Sequence, residues 1–409
     1  MFHGWKVVIG AFLVALFGWG LGFYGVGVFV ATLTARHGWS ASLISSAVTA
    51  YYMLGAALIA FVGTAFERWG TRRVVLAGVA AMAAAAFSLT RISAVWQLYA
   101  AFALLAVGWA CMSGAALNVI VAPWFERRRG MAVSFAFNGA SFGGIVVVPV
   151  LMLLVDRLGF SSGVGLVCLA MGLTLVPVVL RWFHRSPATI GLAPDGGPPI
   201  GQAVPAARPA PGALPRRFLA SWHFASVSVP FALGLMAQVG FITHQVAFLK
   251  PALGAIGAGW AVSLTTACAV LGRLGVGLFV DRVNRRVVAA GNFLLQVGAL
   301  ALLLSARGPL LLYAGCALFG LSVGNMTSLP SLIVQVEFPR QVFARVVGAV
   351  IAANQFMYAL GPGLLGWLRD LSGSYRSGLV ACMALLLVAC VVVLGGAACA
   401  APQRAAVPR

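Results

Sequence analysis

From residue 7 to residue 32 the chain reads VVIGAFLVALFGWGLGFYGVGVFVAT, 26 residues without a single charge. As an α-helix that run rises about 39 Å, enough to cross the roughly 30 Å hydrocarbon core of a bilayer. A secretory signal has an apolar core of only about 7–15 residues, so the run is expected to stay in the protein as a spanning helix. Cutting the chain at charges and turn residues yields twelve such segments: 7–33, 42–65, 74–90, 95–122, 130–155, 162–183, 219–249, 257–280, 287–306, 309–335, 343–368 and 377–399. Only 8% of the 409 residues are charged and 62% are hydrophobic, where a soluble chain carries about a quarter charged residues. The expected fold class is an all-α membrane protein with twelve transmembrane helices, because only a helix or a closed barrel satisfies its own backbone in lipid.

The formal net charge of +20 would suit nucleic acid only if the basic residues gathered on one soluble face. They stand instead in short clusters between apolar runs, so no nucleic-acid partner is expected and lipid is the surrounding medium. With the N-terminus inside, 19 of the 27 Lys and Arg fall on the inner side and 7 on the outer side, while Arg273 lies within a segment. The positive-inside rule then puts both termini in the cytoplasm, with a bacterial inner membrane as the expected location. Seven cysteines lie in or at the ends of the apolar runs with no CxxC spacing, and read as small hydrophobes.

Residues 184–218 are rich in Pro, Gly and Ala and lack periodicity, the composition of a flexible cytoplasmic linker. They separate an N-terminal six-helix half (1–183) from a C-terminal one (219–400), with 401–409 as a cytoplasmic tail. The halves echo each other. GTAFERWGTRR (63–73) returns as GLFVDRVNRR (277–286), setting Gly63, Glu67 and Arg68 opposite Gly277, Asp281 and Arg282 at an offset of 214. Asp156 matches Asp370 at the same offset, and Asn138 matches Asn354 at 216. Parallel duplication of six helices is a transporter signature, with substrate held near the bilayer midplane.

The motif GTAFERWGTRRVVL resembles the conserved loop of the major facilitator superfamily: a glycine, an acid, an arginine, a second glycine and paired basics, with Glu67 where the family usually carries Asp. GWKVVIGAF, RHGWSASLISSAV and WFERRRGMAVSFAFNGASFGG (124–144) resemble the branch that holds monocarboxylate transporters and oxalate/formate antiporters. The resemblance spans both halves and leaves the linker and tail unmatched. It implies the major facilitator fold, two pseudo-symmetric six-helix halves working as a monomer by alternating access. It also implies that Gly63, Glu67, Arg68 and Arg72, with Gly277, Asp281, Arg282 and Arg285, latch the cytoplasmic gate. An acid beside a helix N-terminus and an arginine gains from the helix dipole and from charge-assisted hydrogen bonds.

GLGFYG (20–25) is a literal GxGxxG, yet it lacks the preceding strand and the later acid that a dinucleotide site needs. Gly18 and Gly22 read instead as a small-xxx-small face for close helix approach. No P-loop, HExxH or paired intramembrane carboxylates occur, so no enzyme activity, cofactor or metal is expected and a gradient should drive the protein.

Arg273 is the sharpest clue. It lies eight residues before Asp281, which puts it about 12 Å inside the membrane. In lipid it would cost roughly 2.5–3.5 kcal/mol on insertion scales, so it should face a polar cavity with an anionic partner. All seven acids fall at segment ends or in loops, which leaves the role open to a substrate carboxylate of matching bidentate geometry. At the 214 offset the first half has Ile59, so only one half carries the charge. The competing reading is a structural arginine bound to helix C-terminal carbonyls or bracing Asp281. The resemblance favours the substrate role, since an arginine at this place binds the carboxylate there. It also marks departures: Ala269 stands where animal monocarboxylate transporters carry an acid, Tyr24 near their first-span lysine, and Asn354 where the oxalate/formate antiporter has a second cation. One cation suits a monoanion.

His244 is the one histidine placed within a segment; it reads equally as a titrating group or as a hydrogen-bonded structural residue. Asn118, Asn138, Asn354, Gln238, Gln245 and Tyr358 need partners away from lipid. The expected cargo is a small organic anion, a monocarboxylate, bound by Arg273 with Tyr24, Asn118, His244 and Asn354, and proton symport is the default coupling. Efflux or uptake of an amphipathic or aromatic compound is the alternative, and a transport-inactive membrane sensor is the third reading.

Overall fold

The computed structural model describes residues 2–183, 187, 193–196, 221–280, 282–339 and 342–404. Among these residues the chain forms helices and turns and no strand. It opens with α1 (His3–Trp19), a five-residue π segment (Gly20–Tyr24) and α2 (Val26–His37), followed by α3 (Ala41–Trp69) and α4 (Thr71–Ser88). Next come α5 (Val95–Met112), α6 (Gly114–Val121), α7 (Arg129–Phe142), a second π segment (Gly143–Val147), α8 (Val148–Leu158) and α9 (Phe160–Trp182). After the linker run α10 (Trp222–Phe279), α11 (Arg285–Ser305), α12 (Pro309–Val323), α13 (Leu329–Glu337), α14 (Phe343–Ser372) and α15 (Arg376–Arg404).

Ten helical stretches are long and apolar enough to cross a membrane. The count differs from the twelve expected segments for two physical reasons. The 58-residue α10 holds two helices joined across Gly254, whose φ of 69° only glycine adopts freely, and so covers the seventh and eighth segments. The tenth segment is broken at 324–328 into α12 and α13, each too short to count alone.

The fourth segment is broken as well. Ser113 leaves the helix with φ −68° and ψ 173°, and its Oγ receives the N–H of Ala116 at the start of α6. Adding 214 to Ser113 gives Thr327, inside the break of the tenth segment. Gly159 and Gly373, also 214 apart, both carry positive φ, 83° and 68°. The duplication visible as scattered motifs is therefore a duplication of helix interruptions too.

The chain packs as two compact units, Met1–Thr32 with Ala50–Ala210 and Leu33–Thr49 with Pro211–Arg409. The linear division at the linker does not anticipate that residues 33–49 pack with the C-terminal half. A cap explains part of it: the Asp370 carboxylate accepts the N–H groups of Ala41 (3.1 Å) and Ser42 (2.7 Å), orphan donors at the start of α3. Of the linker, Pro187 and Ala193–Gly196 are described, and most of the tail expected at 401–409 lies outside the described residues. Cys168, Cys316, Cys382 and Cys390 are free and buried, as small hydrophobes would be.

Candidate functional site

In the C-terminal unit the eighth and tenth segments meet along a glycine seam. A Cβ on Gly272 would strike the carbonyl of Leu321, one on Gly320 that of Thr265, and one on Gly324 that of Ala269. Backbones can approach this closely only where side chains are missing. The close approach sets Arg273 beside the end of α12, where Gly324 is the C-cap, and its Nε donates to the Gly324 carbonyl at 3.1 Å. One element of the competing structural reading is thus realised: the arginine does satisfy a helix-terminal carbonyl. That bond uses one edge of the guanidinium. Its Nη1 and Nη2 have no partner among the described residues, and the residue is exposed. An arginine pinned through Nε presents its outer fork already oriented, which lowers the ordering cost of gripping a carboxylate.

Around the break, buried amides in two groups extend past the polar residues expected from the sequence. Asn325 Nδ2 donates to Asn292 Oδ1 at 3.1 Å, Asn292 Nδ2 to the Ser322 carbonyl at 3.2 Å, and Gln296 Nε2 to Gln238 Oε1 at 3.1 Å. A signal for them exists in the sequence, because Asn292, Gln296 and Asn325 sit inside apolar segments where unmet amides are costly. Of these, the Asn292 bond meets a backbone carbonyl in the last turn of α12.

The other expected substrate residues are distributed over both units. His244 is buried, with Nε2 3.1 Å from both Ser45 Oγ and the Pro362 carbonyl and Nδ1 3.3 Å from Tyr375 Oη. With both nitrogens engaged, it matches the hydrogen-bonded structural histidine. Asn354 is buried with Oδ1 lacking a partner among the described residues. In the N-terminal unit Tyr24 is buried in the first π segment, and Asn118 returns its Nδ2 to the Gly114 carbonyl at 2.9 Å, closing the turn after the break.

The expected gate residues divide sharply. Glu67, Arg68 and Arg72 are exposed, and their side chains make no hydrogen bond or ion pair among the described residues; Arg282 is likewise exposed and unpaired. Gly63 and Gly277 have open space where a Cβ would stand, and Asp281 lies outside the described residues. Arg285 bonds the carbonyl of Leu332.

The strongest ionic brace among the described residues belongs to its neighbour. Arg286 is 1% exposed and grips Glu337 in a fork, Nε to Oε1 and Nη2 to Oε2 at 2.8 Å each. Its remaining donors reach the Ser226 carbonyl (3.1 Å), the Val393 carbonyl (3.0 Å) and Ser226 Oγ (3.0 Å). Applying the 214 offset to Arg72 gives Arg286.

The matching family model is described as Major Facilitator Superfamily and covers residues 7–256 and 230–406. Monocarboxylate transporter 11 of Mus musculus is 27% identical over 346 residues, 80% of this chain and 73% of that protein. MFS-type transporter 1 of Ophiocordyceps sp. (strain BCC 1869) is 25% identical over 356 residues, covering 84% of this chain and 74% of that protein. Among solved structures, the nucleoside transporter NupG superposes with a TM-score of 0.73 at 14% identity, over 97% of this chain and 99% of that one. A bacterial homolog to the human lysosomal transporter Spinster gives 0.72 at 13% identity, over 96% of each chain. At these identities the structures establish the fold alone.

Proposed function

The chain belongs to the Major Facilitator Superfamily, and from that premise we propose that it carries a small organic anion, a monocarboxylate, across the membrane by alternating access. It is an integral membrane protein and a transporter. The observation that carries the finer reading is the state of Arg273: a guanidinium on an apolar helix, held through Nε by the Gly324 carbonyl and free at its other two nitrogens among the described residues. A carboxylate fits that fork with two parallel charge-assisted hydrogen bonds. One such cation per site matches a single negative charge, so a dicarboxylate would leave one carboxylate unpaired in a low-dielectric cavity. The monocarboxylate names among the relatives, at about 27% identity, support the same class.

We further propose proton symport, a monomeric carrier, a bacterial inner-membrane location and cytoplasmic termini, the last two supported by the uneven spread of Lys and Arg. Exchange of one anion for another is the second reading for coupling. It is favoured by His244, whose two ring nitrogens both bond protein groups instead of standing open.

Uptake by purified protein in liposomes, across mono- and dicarboxylates with and without an inward proton gradient, tests the proposal. Arg273→Gln should reduce monocarboxylate uptake by about tenfold or more, as loss of a charge-assisted pair worth about 1.5–3 kcal/mol requires. Arg273→Lys should keep a fraction of it, since an ammonium supplies charge without the fork. Undiminished uptake by Arg273→Gln would sink the assignment, and flux that follows only the anion on the far side would replace symport with exchange.

A further inference from the structure

We propose that the N-terminal unit holds a ring-binding subsite formed by Trp19, Phe23, Trp109 and Phe137, and that the ligand it takes is a flat aromatic ring bearing a hydrogen-bond acceptor. The inference goes beyond the carboxylate reading above and concerns the N-terminal unit alone.

Four rings converge beside the unit's helix interruptions. Trp19 ends α1 and Phe23 lies in the first π segment, while Trp109 stands four residues before the break at Ser113. The Trp19 and Trp109 rings are 4.9 Å apart in an edge arrangement, Phe23 lies parallel to Trp109 within 21° at 6.3 Å, and Phe137 meets Trp19 at 6.1 Å. The space for them comes from missing side chains. A Cβ on Gly22 would lie 2.9 Å from Trp109 Cε3, one on Gly55 3.0 Å from its Cδ1, and one on Gly114 2.9 Å from Phe137. The GLGFYG run thus contributes a slot for an indole.

Two features separate this cluster from ordinary packing. Trp19, Phe23 and Phe137 keep part of their surface uncovered, whereas core aromatics such as Phe29 and Phe102 are buried completely. Trp109 is itself buried, yet its Nε1–H has no acceptor among the described residues. Buried indole N–H groups almost always find a partner, and an unmet one calls for an explanation. An acceptor on the cargo, such as a ring hydroxyl, supplies it. The placement is consistent with both irregularities: π segments concentrate at functional sites, and broken helices in transporters border the substrate. A flat apolar ring takes stacking contacts from Trp19 and Phe23, and the Trp109 N–H provides the directional one.

The test is competition for uptake in proteoliposomes with propionate, phenylacetate and 4-hydroxyphenylacetate, using the full chain and the variants Trp19→Leu, Phe23→Leu, Trp109→Phe and Arg273→Gln. The parent should prefer phenylacetate over propionate by about tenfold or more, an expected size for a stacked ring. Trp19→Leu or Phe23→Leu should cut that ratio severalfold, and Trp109→Phe should remove any added preference for the hydroxylated ring. Monodisperse elution and an unchanged unfolding temperature identify which variants are read. A parent that takes propionate as well as phenylacetate, or a Trp19→Leu that lowers both alike, overturns the subsite. If that happens while Arg273→Gln still abolishes uptake, the carboxylate reading stands alone. If the ring preference holds and Trp19→Leu erases it while Arg273→Gln changes nothing, the subsite stands and the role of Arg273 falls.

Discussion

The two copies of the loop motif share a spacing and differ in what their arginines do. In the N-terminal unit Arg72 is exposed without a partner among the described residues; in the C-terminal unit its counterpart Arg286 is buried on Glu337 and three further acceptors. The motif does not decide between these states, because both copies carry it. The partner does. Subtracting 214 from Glu337 gives Pro123, so the first half has no acid where the second has one. An arginine is buried only where its charge and donors are met, and otherwise stays in water.

That contrast is open to direct attack. The largest effect should come from Glu337→Ala, which leaves Arg286 charged and buried without its anion; a loss of roughly 3–5 kcal/mol is expected in thermal unfolding of detergent-solubilised protein. Arg72→Ala should move the same measurement by about 0.5 kcal/mol or less, as exposed substitutions do. Equal losses in the two halves would break the comparison.

Next in size is Gly324→Ala. Its added methyl meets the Ala269 carbonyl, so α12 must shift, at a cost of about 1–3 kcal/mol. The 214-offset counterpart in the first half is Ala110, already an alanine, just as Ile59 stands opposite Arg273. Glycine and arginine therefore occur together in one half and are absent together from the other. Arg273 should lose its anchor in Gly324→Ala, and the KM for a monocarboxylate should rise with little change in kcat. An unchanged KM would separate the glycine from the arginine.

The smallest effect concerns the loop between α6 and α7 of the N-terminal unit, where the acid comes from the linker. Asp195, at φ 62°, accepts the backbone N–H groups of Glu126 (3.0 Å) and Arg127 (2.8 Å). Burial raises the pKa of its carboxyl, but the hydrogen bonds from Arg127 and Glu126 outweigh burial and hold it below the usual range. A lowered folded pKa contributes stability above the unfolded value of about 3.9, and that contribution is lost as pH falls through the folded value. Limited proteolysis of the linker should quicken as pH drops below about 4. Asp195→Asn should show part of that quickening already at neutral pH. Cleavage that ignores both changes would deny the linker any hold on the loop.

Much of this was legible in the chain itself. Hydropathy located the segments, the positions of seven acids left Arg273 without an internal counter-ion, and the 214 offset held the register that leads to Arg286. Other features were not legible because they depend on close approach. The π segments, the breaks at Ser113 and 324–328, and the grouping of residues 33–49 with the C-terminal unit leave no periodic mark in composition. His244 illustrates the limit: residue type permits titration, and only its three neighbours show that both nitrogens are taken.

The amino-acid order by itself determined that this chain enters a bilayer and where its apolar segments lie, because transfer of each apolar run from water to lipid is a local property summed along the helix. Tertiary structure alone decided which charges are answered. Arg273 on Gly324 and Arg286 on Glu337 each join residues 51 apart in sequence, and a hydrogen bond over that separation exists only once packing has brought donor and acceptor to within about 3 Å.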